Sequence, residues 1–235
     1  EECLKIAKSK KDARDCEKEF IKSIDEFIEE EGLTAIDGFL KIFVTDDNSS
    51  YFLKLDEEDL NNQFLYFSYV MNAPQGSTLT GGLPSDGKVL EFRNFKTDNI
   101  GLYQINTSYI KGDKNNNIAK SSITNITEAF VEVFKPVAKT ENSVLINLNS
   151  ILLSEKMDSI SYVPNEYREY VTVNYGRPDE SKTFVKNVFN NNTNTAFEVT
   201  FAYENSMPNL DAFSVSAVTD PRYLSVTGRH IFIKM

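Results

Sequence analysis

Gly38-Phe39-Leu40-Lys41-Ile42-Phe43-Val44, then Asp46-Asp47-Asn48-Ser49-Ser50, then Tyr51-Phe52-Leu53-Lys54-Leu55: these seventeen positions decide the fold class. Two runs rich in aromatic and β-branched residues flank a link made almost wholly of turn formers, and their period is two, so the stretch predicts a β-hairpin. Working outward, the same signal recurs at 63–71, 88–95, 100–110, 128–135, 143–148, 168–175, 183–189, 196–203, 212–218 and 226–234. Such spacing suits an antiparallel sheet or sandwich and not βαβ crossovers. Short helical turns are expected at 56–61 and 149–154.

Before this hairpin the period changes. Ala13, Cys16, Phe20, Ile24 and Phe27 recur at steps of three and four, with Ile21 and Ile28 widening the stripe, which predicts an amphipathic helix over Asp12 to Glu31. Asp12 would cap it and Gly32 end it, while Lys8 to Lys11 separates it from a shorter helix over Cys3 to Ala7. The expected fold is therefore α+β: a mostly antiparallel β-sheet or sandwich with an N-terminal helical hairpin. Residues 1–32 form the helical segment and 33–235 the β-rich domain, with a possible seam near Ser154–Pro164 between an early and a later sheet.

Cys3 and Cys16 stand almost symmetrically about the Lys8–Lys11 turn, where a helical hairpin would let them face one another. Two cysteines without C-x-x-C spacing exclude a four-cysteine zinc site. They leave either a disulfide formed in an oxidising compartment or two buried thiols.

Composition removes several function classes. The 235 residues carry 25 Lys+Arg against 35 Asp+Glu, a net charge of −10 with pI near 4.8, which argues against nucleic acid as the main partner. The single histidine, His230, cannot form an H-E-x-x-H zinc helix and leaves most hydrolytic machinery unassembled. No apolar stretch is long enough for a membrane span, and no signal peptide opens the chain.

The remaining motifs read as structure. Gly82-Leu83-Pro84-Ser85-Asp86-Gly87-Lys88 imitates a phosphate loop, but Val89 replaces the hydroxyl residue and a strand follows where a helix must begin. Asp113-Lys114-Asn115-Asn116-Asn117 opens like a calcium loop, yet Ile118 occupies the glycine position, so a hairpin turn is expected. Asn48, Asn106, Asn125 and Asn191 begin sequons of a kind that turn-rich loops produce readily. Asp220-Pro221-Arg222-Tyr223 is a structural turn, Glu57, Glu58 and Asp59 sit at a helix start, and His230 is a packed or surface strand residue. The alternating run Gly228 to Met235 stops without a turn residue, as if cut from something longer, and is expected to leave an unpaired sheet edge.

The run from Gly38 to Glu155 resembles the N-terminal region of large bacterial zinc-dependent metalloproteases. The resemblance is carried by Phe39-Leu40-Lys41-Ile42-Phe43 leading into Tyr51-Phe52-Leu53-Lys54-Leu55, by Phe64-Leu65-Tyr66-Phe67-Ser68, and by the Gly76 to Gly82 loop entering Lys88-Val89-Leu90-Glu91-Phe92. It continues through Phe130 to Pro136, Val144 to Leu148, Ser150 to Ser154, Ser181 to Val185, Phe197 to Tyr203, and Arg229-His230. It implies an exported, extracytoplasmic protein, periplasmic or secreted, whose H-E-x-x-H catalytic domain lies downstream and is the partner of this region in the same polypeptide. Zinc is then expected only in that missing domain, with no catalytic residue, metal ligand or cofactor in this chain. The chain would act as a non-catalytic accessory, docking or pro-region, inactive as a peptidase by itself. The alternative is a free-standing extracytoplasmic β-sandwich that binds glycan or protein through exposed Tyr and Phe. Carboxylate pairs of the glycosidase kind cannot be placed from linear sequence.

Overall fold

The structure, a computed structural model, describes residues 21–74, 79, 81–82, 84–96, 98–108, 127–160, 175–208 and 217–235. The chain first lays down β1 (Thr34–Ile36), β2 (Lys41–Val44) and β3 (Tyr51–Asp56), then β4 (Gln63–Asn72), β5 (Lys88–Phe95), β6 (Asn99–Gln104) and β7 (Ala129–Phe134). After them come β8 (Ala138–Lys139), β9 (Ser143–Asn147), β10 (Arg177–Pro178), β11 (Phe184–Asn190), β12 (Asn194–Glu204) and β13 (Tyr223–Lys234). Two short α-helices, α1 (Ile24–Glu30) and α2 (Asn149–Leu152), and two single 3-10 turns, Glu57–Asp59 and Glu155–Met157, complete the described elements. One sheet has the order β1-β2-β3-β9-β8; the other runs β10-β12-β13-β4-β5-β6-β7, with β11 also on β12, and curls into a half-barrel. All pairings in both sheets are antiparallel.

The hairpin predicted from Gly38 to Leu55 pairs Lys41 with Lys54 and Val44 with Tyr51. Its alternation turns Ile42, Val44, Leu53 and Leu55 toward the larger sheet, where they meet Phe64, Tyr66, Phe92, Phe197 and Phe232 in one core. Tyr51 touches Phe197 edge-on at 5.9 Å between ring centres, tying the two sheets together. The opposite face of the smaller sheet is also covered: Phe52 and Leu145 pack with Ile24 and Leu33, and the Phe27 ring of α1 meets Phe52 at 5.5 Å. That double coverage explains why Tyr51-Phe52-Leu53 is an unbroken buried run. The result is helix on sheet on sheet.

Three expectations are corrected. The helix expected from Asp12 to Glu31 is not continuous: Ser23 is extended, and its hydroxyl accepts from the Glu26 amide, so a fresh helix begins at Ile24. It ends as expected, with Gly32 at φ 61. No seam divides an early from a later sheet, because β13 pairs with β4 from Thr227↔Asn72 to Lys234↔Phe64. The terminal run is not an edge either, since β12 flanks it on the other side from Tyr223 to Ile233. The strands β1, β8 and β10 are two or three residues long and carry too few positions for a period to register. The first helix of the predicted hairpin, Cys3 and Cys16, the Asp113–Asn117 loop, Asn125 and the strands expected at 168–174 and 212–216 lie outside the described residues.

Candidate functional site

At one end the two sheets part. Residues just before β2, the end of β3, the middle of β5, the turn into β4 and the end of β13 enclose a cleft of about 740 Å³. Its floor is aromatic and aliphatic: Phe39 meets Phe64 edge-on at 6.5 Å, Phe64 stacks on Phe92 at 5.4 Å, and Leu53 and Leu55 complete it. Its rim is polar, carrying Asn61, Asn62 and Gln63 beside Lys41, Glu58, Asp59 and Lys234. An apolar floor under a few placed polar groups is the usual build of a ligand cleft.

Local sequence sets this geometry. Asp59 Oδ2 accepts from the Asp56 amide at 2.9 Å, closing the single turn Glu57–Asp59 at the end of β3. Asn61 then adopts φ 61, which Asn tolerates, and its amide donates to the Phe92 carbonyl at 2.8 Å, delivering the chain into β4. Lys41 donates to Asp56 at 2.5 Å and to Asp59 at 3.1 Å. Burial opposes the Lys41 charge, yet these two carboxylates outweigh it and hold the ammonium above its usual range. Asp56 is held below the usual carboxylate range by Lys41 and by the Ser143 hydroxyl. Glu58 and Lys234 differ: neither has an ion-pair partner among the described residues.

The cleft wall at Phe39–Leu40 is hung from the larger sheet. Asn190 Nδ2 donates to the carbonyls of Ile36 and Leu40, both at 2.7 Å, while the Thr195 hydroxyl donates to Asn190 Oδ1 and accepts from the Leu40 amide. Gly38 leaves room for this clamp, because a Cβ there would lie 2.2 Å from Asn190 Oδ1. Sequence reasoning did not single out Asn190, Asn61, Glu58 as a rim group, or the Phe39-Phe64-Phe92 floor. The run Asn61-Asn62-Gln63 ahead of a strand was the one local signal available.

His230 lies elsewhere, on the inner face of β13. It is fully buried, with its Nδ1 2.9 Å from the Tyr66 hydroxyl and its ring against Phe201. Burial pushes the ring down to about 4, with the Leu152 backbone opposing the shift and Lys88 adding to it. The same burial pushes the Tyr66 hydroxyl up. The ring is a neutral core group at neutral pH.

The other singled-out residues are structural. Lys88 of the false phosphate loop donates to the Met157 carbonyl at 2.8 Å and pairs with Asp158, while Val89 continues β5 as expected. Arg222 closes its turn by bonding Asp220. Asn48 takes φ 56 in the hairpin link, and Asn191 caps the β11–β12 turn through Thr193 and Asn194. Among the described residues, no three His, Cys, Asp or Glu side chains gather as a metal-binding group, and no helix is long and apolar enough to cross a membrane. No protein-family model, curated protein or solved structure matches the chain.

Proposed function

We propose that the chain is a non-catalytic docking module and that the cleft between its sheets seats an extended segment of a polypeptide partner. The observation that supports this is the pairing of a floor built by Phe39, Phe64 and Phe92 with two rim charges, Glu58 and Lys234, that have no ion-pair partner among the described residues. The floor offers apolar area to alternate side chains of a strand-like segment, and the rim charges of Glu58 and Lys234 offer its polar groups partners. In the setting implied by the metalloprotease resemblance, that segment belongs to the downstream zinc-dependent domain of the same exported polypeptide, with zinc held there. The one histidine is committed to the core and takes no part in the cleft.

The reading frame beyond Met235 supplies the test. Fluorescent peptides tiling it are titrated against the 235-residue chain and against the Lys234→Glu and Glu58→Lys variants. A peptide whose affinity falls about fivefold or more in one charge reversal supports the reading. A frame without an H-E-x-x-H domain removes the proposed partner, and peptides bound equally by all three proteins remove the cleft.

A further inference from the structure

Phe95 on β5, Tyr103 on β6 and Phe130 on β7 meet on the outer face of the larger sheet, away from the cleft. Phe92, Ile100, Leu102 and Phe134 fill the core, so strand alternation turns Arg93, Phe95, Gly101 and Tyr103 outward. The Phe130 ring lies 4.8 Å from that of Phe95 and 4.9 Å from that of Tyr103, tilted by 32° and 39°. Gly101 makes this packing possible, because a Cβ there would stand 2.7 Å from Tyr103 Cε2 and 2.9 Å from Phe130 Cε2. The rings lie on bare backbone as a platform, and Phe130 remains 46% exposed.

Fixed polar groups frame that platform. The Arg93 guanidinium sits 4.9 Å from the Tyr103 ring centre and is held by Glu91 at 2.6 Å and Glu128 at 2.5 Å. Lys96 Nζ stands 5.1 Å from the Phe95 ring centre and pairs with no carboxylate among the described residues.

We propose that this platform binds a pyranose ring of an acidic glycan, its C–H face on Phe130 and its carboxylate at Lys96. The negative face of an aromatic ring attracts the polarised C–H face of a sugar, and flat rings fixed over Gly101 pay little ordering entropy on binding. At the platform edge the Arg93 guanidinium, 28% exposed beside Tyr103, offers N–H groups to sugar hydroxyls. Lys96 supplies the charge complementarity that selects a uronic or similarly acidic sugar. The net charge of −10 does not forbid this, because charges beyond about 8 Å are largely screened at physiological salt. The proposal is independent of the cleft.

The test titrates the full chain with hexagalacturonic acid and with cellohexaose, following the ring resonances of Phe95, Tyr103 and Phe130. The expected result is that the uronate binds about fivefold tighter than the neutral sugar, that Phe130→Ala weakens it about tenfold, and that Lys96→Gln removes its advantage. Lys96→Gln changes only an exposed side chain, so it remains informative if Phe130→Ala loosens the fold. Three results would overturn the proposal: equal affinity for both sugars, no movement of these resonances at about 10 mM ligand, or binding unaltered in both variants. Cleft peptides should bind Phe130→Ala as they bind the parent chain.

Discussion

Tyr66 and His230 stand 164 residues apart in sequence and 2.9 Å apart in space, hydroxyl to Nδ1, both without solvent exposure. The contact joins β4 to β13, the pairing that makes one sheet from the two halves of the chain. Tyr66→Phe keeps the ring and leaves a buried nitrogen unpaired. We expect it to cost about 1–3 kcal/mol in urea unfolding at pH 7; a loss within error would mean that the bond contributes nothing net.

The same histidine sets an acid limit. Its folded value is about 4 against 6.5 unperturbed, so on acidification the unfolded chain takes up a proton that the folded ring refuses. Stability should fall between pH 6.5 and about 4 and this contribution should level off below, for a total of about 3 kcal/mol. Asp56 and Glu198, whose carboxyls are held low, add their own losses at lower pH. The difference between the parent chain and His230→Gln isolates the ring: the variant should lack the slope between pH 6.5 and 4, and an unchanged slope would refute the assignment.

On the outer face, Arg229 pairs with Glu198 and lies over the Phe189 ring at 5.0 Å. Burial pushes the Glu198 carboxyl up, and Asn187 with Arg229 more than offsets this. Arg229→Met strands that carboxylate and should cost about 3 kcal/mol, whereas adding Glu198→Gln should recover much of it. Thermal melts of the two proteins decide; equal melting points would show that the charge, once unpaired, is not costly.

Gly38→Ala tests the clamp that shapes the cleft. The new methyl must displace Asn190, whose amide holds the Ile36 and Leu40 carbonyls. We expect a loss of about 2–3 kcal/mol, non-additive with Asn190→Ala because both act on one set of bonds. Additive losses in chemical denaturation would separate the glycine from the clamp.

The strands were legible because their period is set locally: Phe39 to Leu55, Gln63 to Met71 and Val226 to Lys234 each alternate within a few residues. In the last strand that alternation turns Val226, Gly228, His230 and Phe232 inward. What covers each face is a long-range matter. Ser23-Ile24-Asp25-Glu26 carries the Ser-x-x-Glu pattern of a helix start, a local signal masked by the apolar stripe that runs through it, whereas nothing near Met235 says that β12 and β4 will sit on both sides of β13. The cleft was illegible for the same reason, as Phe39, Phe64 and Phe92 become one floor only after the sheets stack.

Photocrosslinking probes the docking claim most directly. With benzoylphenylalanine in place of Phe39, irradiation beside the tightest-binding reading-frame peptide should join that peptide to the cleft, and excess unlabelled peptide should suppress the product. The same probe at Phe184, exposed on β11, should give none. Equal crosslinking from both positions, or none from Phe39 at saturating peptide, would contradict the account.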